Sequence, residues 1–113
     1  MEKENRDKFI FMKDIEDIYD EMDKGSTGCF KNKYRNIYYL LNGKWHRSDG
    51  PAIEWSDGTK SWYFHGKRHR LEGPAVEWQD ENKRWFYYGY KAESKEEFYD
   101  HEWRRKIEIK EFI

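Results

Sequence analysis

The chain has 113 residues, of which 40% are charged and 19% are aromatic, and its net charge is −1. The many aromatic side chains argue against disorder despite the charge, and a net charge near zero argues against a nucleic-acid-binding protein. No apolar run is long enough to cross a membrane, and the acidic start is unlike a signal peptide. A single cysteine, Cys29, excludes an internal disulfide and fits a reducing cytoplasm.

The first predicted element is an amphipathic helix near the N-terminus. Its apolar positions follow the i, i+3, i+4, i+7 pattern of one helix face, and they are Ile15, Ile18, Tyr19 and Met22. Gly25 provides a stop, because glycine readily adopts the left-handed conformation that ends helices. We therefore expect residues 1–33 to form an N-terminal helical segment.

A repeat dominates residues 34–92. The segment 43–55 reappears as 66–78, and every matched position lies 23 residues further along the chain. Apolar and polar residues alternate inside each copy, which is typical of β-strands. We therefore expect an antiparallel β-meander made of 23-residue hairpin repeats.

The predicted hairpin turn of the first copy is Asp57-Gly58, because a two-residue Asp-Gly turn matches the twist of the flanking strands. This turn would place Ile53 opposite Trp62 on the neighbouring strand. The register of a hairpin decides which side chains share a face of the sheet. The alternation can therefore be converted into two predicted faces.

The first predicted face is heavily apolar and consists of Tyr39, Leu41, Ile53, Trp55, Trp62, Phe64, Val76, Trp78, Trp85 and Tyr87. The second mixes aromatic and charged groups and consists of Tyr38, Leu40, Glu54, Ser61, Tyr63, His65, Glu77, Arg84, Phe86 and Tyr88. An apolar sheet face must be buried against another layer. We expect the terminal helices to cover the first face.

Residues 93–113 are predicted to form a C-terminal helical cap. Ser94 followed by Glu97 is a capping box, and apolar residues come directly after it. The tail 107–111 alternates, so the sequence leaves open whether it is helix or strand. Together these elements predict a single α+β domain over residues 1–113, with a helix at each end of the sheet.

The motif Trp-Tyr-Phe-His-Gly-Lys-Arg-His-Arg-Leu-Glu-Gly-Pro-Ala at residues 62–75 resembles the variant class of membrane-occupation-and-recognition-nexus (MORN) repeats. The pattern of that class is roughly Trp-Tyr-x-Asn-Gly-Lys-x-His-Arg-x-Asp-Gly-Pro-Ala. The resemblance covers about residues 38–92 and departs from the pattern at Leu40, at Leu41 and over 90–93. It implies stacked antiparallel hairpins that serve as a binding surface, without fixing one activity. Small members with helical ends resemble phage accessory proteins, some of which block host defences.

Two short clusters combine imidazole, guanidinium and carboxylate groups, as a catalytic site does. They are His46, Arg47 and Asp49 in the first copy and His69, Arg70 and Glu72 in the second. A catalytic site is rarely built twice, whereas a structural turn must be present in every repeat. We therefore interpret them as a structural turn network in which the acid accepts hydrogen bonds from arginine or backbone amides.

No catalytic residue, metal or cofactor is predicted. Equivalent histidines in successive repeats would lie roughly 10 Å apart, too far to share a zinc ion. Cys29 is interpreted as a partly buried free thiol, because its sequence neighbours supply nothing clear that would lower the pKa of a thiol. An enzyme would need a cleft holding a perturbed His or Cys, and loss of function in a folded His69→Ala variant would favour it.

A partner-binding surface is predicted on the second face and the hairpin loops. Tyr and Arg side chains are common anchors of protein interfaces. The predicted contact residues are Trp45, Arg68, Tyr38, Tyr63, His65, Arg84, Phe86 and Tyr88. An alternative stays open, in which the C-terminal segment covers this face and forms a second small core.

From these patterns and the resemblance we expect a non-enzymatic protein-binding module, encoded by a phage, that inhibits a bacterial defence protein. It would act in the cytoplasm of the bacterial host, without a cofactor or a membrane. The alternative is a sponge that sequesters a small nucleotide signal between aromatic and basic side chains. Ligand retention distinguishes the two, because a sponge binds nucleotides without any protein partner.

Overall fold

The structure, a computed structural model, describes residues 13–113, so residues 1–12 of the predicted N-terminal segment lie outside the described residues. It is an α+β fold with a mostly antiparallel, strand-rich sheet and two helices near the C-terminus. The predicted fold class is confirmed at this level. No helix of the described part of the chain is long and apolar enough to cross a membrane.

The strands of the described residues are short, and most belong to one large sheet. They are β1 (Asp14–Ile15), β2 (Gly28–Asn32), β3 (Ile37–Leu41), β4 (Lys44–Trp45), β5 (Ile53–Glu54), β6 (Lys60–Ser61), β7 (Tyr63–Phe64), β8 (Lys67–Arg68), β9 (Val76–Glu77), β10 (Lys83–Arg84), β11 (Phe86–Tyr87) and β12 (Tyr90–Lys91). The large sheet has the order β1-β2-β3-β5-β6-β9-β10, with β4 paired to β3. The pairs β7–β8 and β11–β12 form separate hairpins, and the β1–β2 pair is parallel. The helices are α1 (Ile18–Asp23), α2 (Lys95–Phe98) and α3 (His101–Phe112).

The segment 1–33 is not purely helical, which corrects the prediction. Ile15 lies in β1, and β2 also falls in this segment. Helix α1 starts only after Asp17, whose carboxylate accepts a hydrogen bond from the Tyr19 backbone N–H at 2.9 Å. A side chain that satisfies a free N–H in this way sets a helix start. Gly25, with φ of 73°, follows the helix end, as predicted.

The C-terminal cap has the predicted helix start and a helical tail. The Ser94 hydroxyl accepts the Glu97 backbone N–H at 3.1 Å, and the Glu97 carboxylate accepts a backbone N–H in return. After α2 a new helix, α3, begins at the N-cap residue Asp100, whose carboxylate accepts the Trp103 backbone N–H at 2.9 Å. Helix α3 runs through 107–111, so the open question about this tail is resolved in favour of helix.

The first repeat turns through a three-residue loop and not through the predicted two-residue turn. The Gly58 N–H donates to the Trp55 carbonyl at 3.0 Å, and Gly58 has φ of 95°. A type I turn followed by a left-handed residue is the usual three-residue hairpin. It places Ile53 opposite Ser61 and not opposite Trp62, so the predicted register is wrong by one residue.

The second repeat makes the same turn without a glycine. The Glu81 N–H donates to the Trp78 carbonyl at 3.0 Å, and Glu81 adopts φ of 73°. Val76 accordingly lies opposite Arg84. A left-handed glutamate is strained relative to glycine. The second hairpin therefore has the same register as the first, but its turn is less stable.

The shifted register mixes the two predicted faces, because a slip of one residue turns a strand over relative to its partner. Cross-strand pairing puts one row of residues on a common face: Tyr38, Ile53, Ser61, Val76 and Arg84. Helix α1 covers this face, and the first core consists of Ile18, Phe30, Tyr38, Leu40 and Ile53. The prediction that the N-terminal helix covers the face of Tyr39 and Leu41 is therefore wrong.

A second core lies under the C-terminal helices and consists of Tyr87, Ala92, Phe98 and Ile107. The Tyr87 hydroxyl donates to the Glu108 carboxylate at 2.5 Å. Burial, together with this bond, raises the pKa of Tyr87 to about 12. Phe112 also packs edge-on against Tyr88. The C-terminal helices therefore pack against one side of the last hairpin, β11–β12.

Candidate functional site

The turn network, defined as His46, Arg47 and Asp49 with His69, Arg70 and Glu72, lies in the loops that follow the hairpins. The buried His46 accepts the His65 backbone N–H at Nδ1, at 2.9 Å. The buried His69 accepts the Tyr88 backbone N–H in the same way, at 2.8 Å. A ring nitrogen that accepts a hydrogen bond carries no proton. In both copies the imidazole therefore anchors the neighbouring hairpin turn.

His69 is held in its neutral form by its surroundings. Burial, together with the nearby Arg104 charge, lowers the pKa of His69 to about 4. The Tyr88 ring stacks on the imidazole with centroids 3.8 Å apart. Near neutral pH, His69 is thus a structural acceptor, and its pKa is too low for a general base poised near 7.

Arg47 joins the two ends of the first network loop. Its Nε donates to the Asp49 carboxylate at 3.0 Å, and its Nη1 lies 3.3 Å from both the Pro51 carbonyl and the Glu54 carboxylate. The guanidinium also rests on the Tyr39 ring, 4.0 Å from the centroid. A planar fork of donors is suited to holding several acceptors at once.

Arg70 repeats these contacts in the second loop, with one exception. Nη1 donates to the Pro74 carbonyl at 3.0 Å and to the Glu77 carboxylate at 3.1 Å, and the guanidinium lies 3.9 Å from the Trp62 ring centroid. Glu72, the predicted acid of this copy, is exposed. Among the described residues, no hydrogen bond or ion pair joins it to Arg70. The prediction for Glu72 is therefore corrected, and Glu77, which corresponds to Glu54 of the first copy, is the carboxylate paired with Arg70.

Four partly or fully exposed side chains form a row across the hairpins. We call this row the hairpin ridge, and its members are Trp45, Tyr63, Arg68 and Phe86. The ring centroids of Trp45 and Tyr63 are 6.3 Å apart. The Arg68 guanidinium lies 5.8 Å from the Tyr63 centroid and 5.5 Å from the Phe86 centroid. The cation therefore continues the aromatic row from one hairpin to the next.

Two-residue turns build this row, and the sequence interpretation missed them. Their central residues all have positive φ, and they are Asn42-Gly43, His65-Gly66 and Tyr88-Gly89. Such a turn fixes the register of its hairpin, so Leu40 faces Trp45, Tyr63 faces Arg68 and Phe86 faces Lys91. The available signal was the Asn-Gly dipeptide, a strong hairpin marker, whose glycine slot recurs 23 residues apart.

Tyr38 supports the ridge from inside the fold. Its ring lies 5.7 Å from Trp45, but its side chain belongs to the first core and is only 9% exposed. The Tyr38 hydroxyl accepts hydrogen bonds from the side-chain amides of Asn32 and Asn36. It is therefore placed to orient Trp45 and offers little surface to a partner.

The remaining predicted contact residues lie elsewhere. His65 and Tyr88 occupy the hairpin turns and pack on the network imidazoles, with centroids 4.4 and 3.8 Å apart. Arg84 lies over Trp78, 5.5 Å from its ring. Within residues 13–113 no ring contact joins Arg84 to the ridge. The structure thus brings only part of the predicted surface together.

A groove of about 760 Å³ lies between the two network loops. Residues of both loops and several aromatic rings line it, among them Arg47, Pro51, Trp62, Phe64, Arg70 and Tyr88. Both guanidiniums are already paired with carboxylates. The groove therefore has a size typical of ligand sites but little uncompensated positive charge for a phosphate.

Cys29 is buried, and the described part of the chain holds no cluster of potential metal ligands. Cys29 is 2% exposed, and burial raises the pKa of its thiol. A raised pKa keeps the thiol protonated, which suppresses its reactivity as a nucleophile. Among residues 13–113, no group of three or more His, Cys, Asp or Glu side chains is placed to hold a metal ion.

Comparisons of the chain with protein-family models, curated proteins and solved structures gave no match. The resemblance to variant MORN repeats stays a prediction. The backbone contacts do recur with the sequence period: the Ala52 N–H donates to the Ser61 carbonyl and the Ala75 N–H donates to the Arg84 carbonyl, both at 2.8 Å.

Proposed function

We propose that this protein is a non-enzymatic binding module of hairpin repeats, of the variant MORN type, that contacts another protein through the hairpin ridge. The observation that supports it is the row of aromatic and arginine side chains on the ridge. Trp, Tyr and Arg dominate the energetic anchors of protein interfaces. Their partial exposure leaves surface for a partner to bury.

The ridge also occupies the repeat position that differs from copy to copy. The residue after Gly-Lys in the hairpin is Trp45 in the first copy and Arg68 in the second. The network residues next to it make the same contacts in both copies. The scaffold therefore does not dictate the residue type at this position, which leaves it available for recognition.

The non-enzymatic part of the proposal is supported by the environments of the candidate reactive groups. His46 and His69 use Nδ1 to hold backbone amides. Cys29 is buried with a raised pKa. The two imidazoles thus hold backbone amides and the thiol is buried, and the low pKa of His69, which lines the groove between the network loops, makes this imidazole a poor general base.

The narrower proposal is that the partner is a bacterial defence protein and that binding inhibits it. The chain would then be encoded by a phage and act in the cytoplasm of the host. What supports this step is the resemblance of small variant MORN proteins to phage accessory proteins. It is independent of the ridge, and the identity of a captured partner tests it directly.

The test is a pull-down of the tagged full chain from bacterial lysate, read by mass spectrometry. Arg68→Glu changes the ridge, and Arg84→Glu is a matched control, because Arg84 is also exposed and lies over an aromatic ring. We expect one stoichiometric partner that Arg84→Glu retains and Arg68→Glu loses, with unchanged circular dichroism. A chain that emerges alone, or a partner retained equally by both variants, contradicts the proposal.

The groove between the network loops favours a second candidate, the nucleotide sponge. Its aromatic lining is suited to stacking a base, whereas its guanidiniums are paired with carboxylates and offer little positive charge to a phosphate. A sponge should carry nucleotide through purification, and chromatography of the denatured protein would detect it. In that case Arg70→Ala should lower nucleotide retention, and Arg68→Glu should leave it unchanged.

A further inference from the structure

The hairpin ridge has two chemically different ends. At one end Trp45 contacts Tyr63 and also Tyr19 of α1, whose ring centroid lies 6.4 Å away. At the other end Arg68 is followed by Lys91, which lies opposite Phe86 in the β11–β12 hairpin. Cross-strand partners project from the same face. The ridge is therefore aromatic at the Trp45 end, whereas at the other end the Phe86 ring lies between the cations Arg68 and Lys91.

The cationic end continues into a small groove of about 220 Å³ beside α3, which we call the lysine groove. Its lining residues are Tyr90, Lys91, Trp103, Lys106, Ile107 and Lys110. Lys110 lies 5.6 Å from the Tyr90 ring centroid. The groove thus combines several ammonium groups with two aromatic side chains.

These cations form no ion pair within the described part of the chain, and Lys106 also borders a neighbouring groove lined by Glu96, Glu97, Asp100 and Glu102. Among residues 13–113, no carboxylate forms an ion pair with Arg68, Lys91, Lys106 or Lys110. By contrast, Lys67 of the same hairpin region is paired with Glu111, and Arg70 is paired with Glu77. Unpaired charges of one sign on an interaction surface favour a partner of the opposite sign.

We infer that the hairpin ridge and the lysine groove together bind an acidic segment of the partner protein, with apolar side chains at the Trp45 end and carboxylates at the lysine end. This inference depends on the proposed function, since it names the chemistry of the same contact. Complementary charge selects the orientation of the segment and speeds its association.

The charge distribution favours an acidic protein over a nucleic acid. The chain has a net charge of −1, and acidic residues of α1, including Asp20, flank Tyr19 at the aromatic end. A phosphate backbone that crossed the whole ridge would meet these carboxylates, because its charge is uniform along its length. An acidic protein segment carries its carboxylates at one end only and avoids this repulsion.

The test is fluorescence anisotropy of the full chain with a labelled peptide that has a Leu-Trp-Leu end followed by alternating Asp and Glu. The reference peptide replaces each acid by its amide. We expect the acidic peptide to bind at least about tenfold more tightly than the amide peptide at low salt, with the preference decreasing as salt screens the charges.

A pair of variants separates the lysine groove from general charge effects. Lys110→Glu should abolish the preference for the acidic peptide. Lys33→Glu is the control, because Lys33 also rests on a tyrosine ring, 5.3 Å from its centroid, and it should retain the preference. Equal binding of the two peptides, or equal effects of the two variants, overturns the inference.

A labelled oligothymidylate of matched length tests binding of a nucleic acid, and tighter binding of it than of the acidic peptide also overturns the inference.

The two proposals fail separately. If a partner from the lysate depends on Arg68 but the two peptides bind equally, the inference about an acidic segment is wrong and the proposed function is retained. If the chain prefers the acidic peptide but captures no protein whose binding depends on the ridge, the proposed function is contradicted.

Discussion

The turn network and the hairpin ridge belong to the same repeats but use them differently. In the network, Arg47 and Arg70 make equivalent contacts to a proline carbonyl, a carboxylate and an aromatic ring. On the ridge, the equivalent positions hold Trp45 and Arg68, which differ in residue type although both lie against the Tyr63 ring. Residues whose partners lie inside the repeat recur, whereas residues that face outward are free to differ.

Burial explains this difference. The network imidazoles His46 and His69 are buried, whereas Arg68 is exposed. Removing a buried hydrogen-bonding group leaves its partner unsatisfied and opens a cavity. We therefore expect network substitutions to lower the free energy of unfolding, and ridge substitutions to lower binding with little change in stability.

The largest effect is expected from His69→Ala. The change removes the acceptor of the Tyr88 backbone N–H and leaves a cavity beside its ring, so we expect a loss of about 3 kcal/mol in the free energy of unfolding. Urea unfolding followed by tryptophan fluorescence measures it. His65→Ala is the control at an exposed position, and an equal loss in both variants would contradict a special role for the network.

The pH dependence of stability should come next in size. The pKa of His69 is about 4 in the folded chain and rises to its ordinary value of 6.5 on unfolding, so the unfolded chain binds more protons between these values. Stability from His69 is therefore complete above about pH 6.5 and is lost as the pH falls towards 4, by roughly 2–3 kcal/mol in all.

Urea unfolding of the wild type and of His69→Ala from pH 7 down to pH 5 isolates this contribution from that of the carboxylates. The difference in free energy of unfolding between the two chains should shrink as the pH falls. A difference that is independent of pH would show that the imidazole is not held neutral by its burial near Arg104.

A smaller, stabilising effect is expected from Glu81→Gly. Glu81 has φ of 73° at the place that Gly58 occupies in the first repeat, and glycine adopts this conformation without steric cost. We expect a gain of about 0.5–1 kcal/mol in the free energy of unfolding. Gly58→Ala should do the opposite, and a neutral result for both would contradict the assigned turn type.

The smallest effect on stability is expected from Arg68→Ala. Its guanidinium is exposed, and its contacts within residues 13–113 are with ring faces at more than 5 Å, so the free energy of unfolding should change by less than about 0.5 kcal/mol. Arg70→Ala, which loses the carbonyl and carboxylate contacts of the network, should cost about 2 kcal/mol. If Arg68→Ala destabilised as much, the ridge would be part of the scaffold.

Much of the local structure could be predicted from neighbouring residues. Ser94 and Glu97 lie within one helix turn, so the start of α2 depends on contacts that the sequence displays directly. The alternation within the repeat likewise indicates strands. The exception is Ile15, which fits the helical pattern but lies in β1, because pairing with β2 satisfies its backbone instead.

Part of the candidate site could also be predicted, but its composition depended on geometry. The aromatic and arginine content of the ridge was visible in the sequence. The sequence did not show that Arg84 lies outside the ridge or that Tyr38 is buried, since both depend on where the sheet places each side chain. The pairing of Arg70 with Glu77 and not with Glu72 is likewise a contact between strand and loop.

By itself, the sequence determined the repeat period, the strand content, the helix caps and the type of side chain available for contact, because these depend on residues close together in the chain. Only the tertiary structure decided the register, the covered face and the members of the ridge. The physical reason is that one additional loop residue, as in the turns at Gly58 and Glu81, moves the cross-strand pairs of its hairpin by one position and turns one strand over relative to the other.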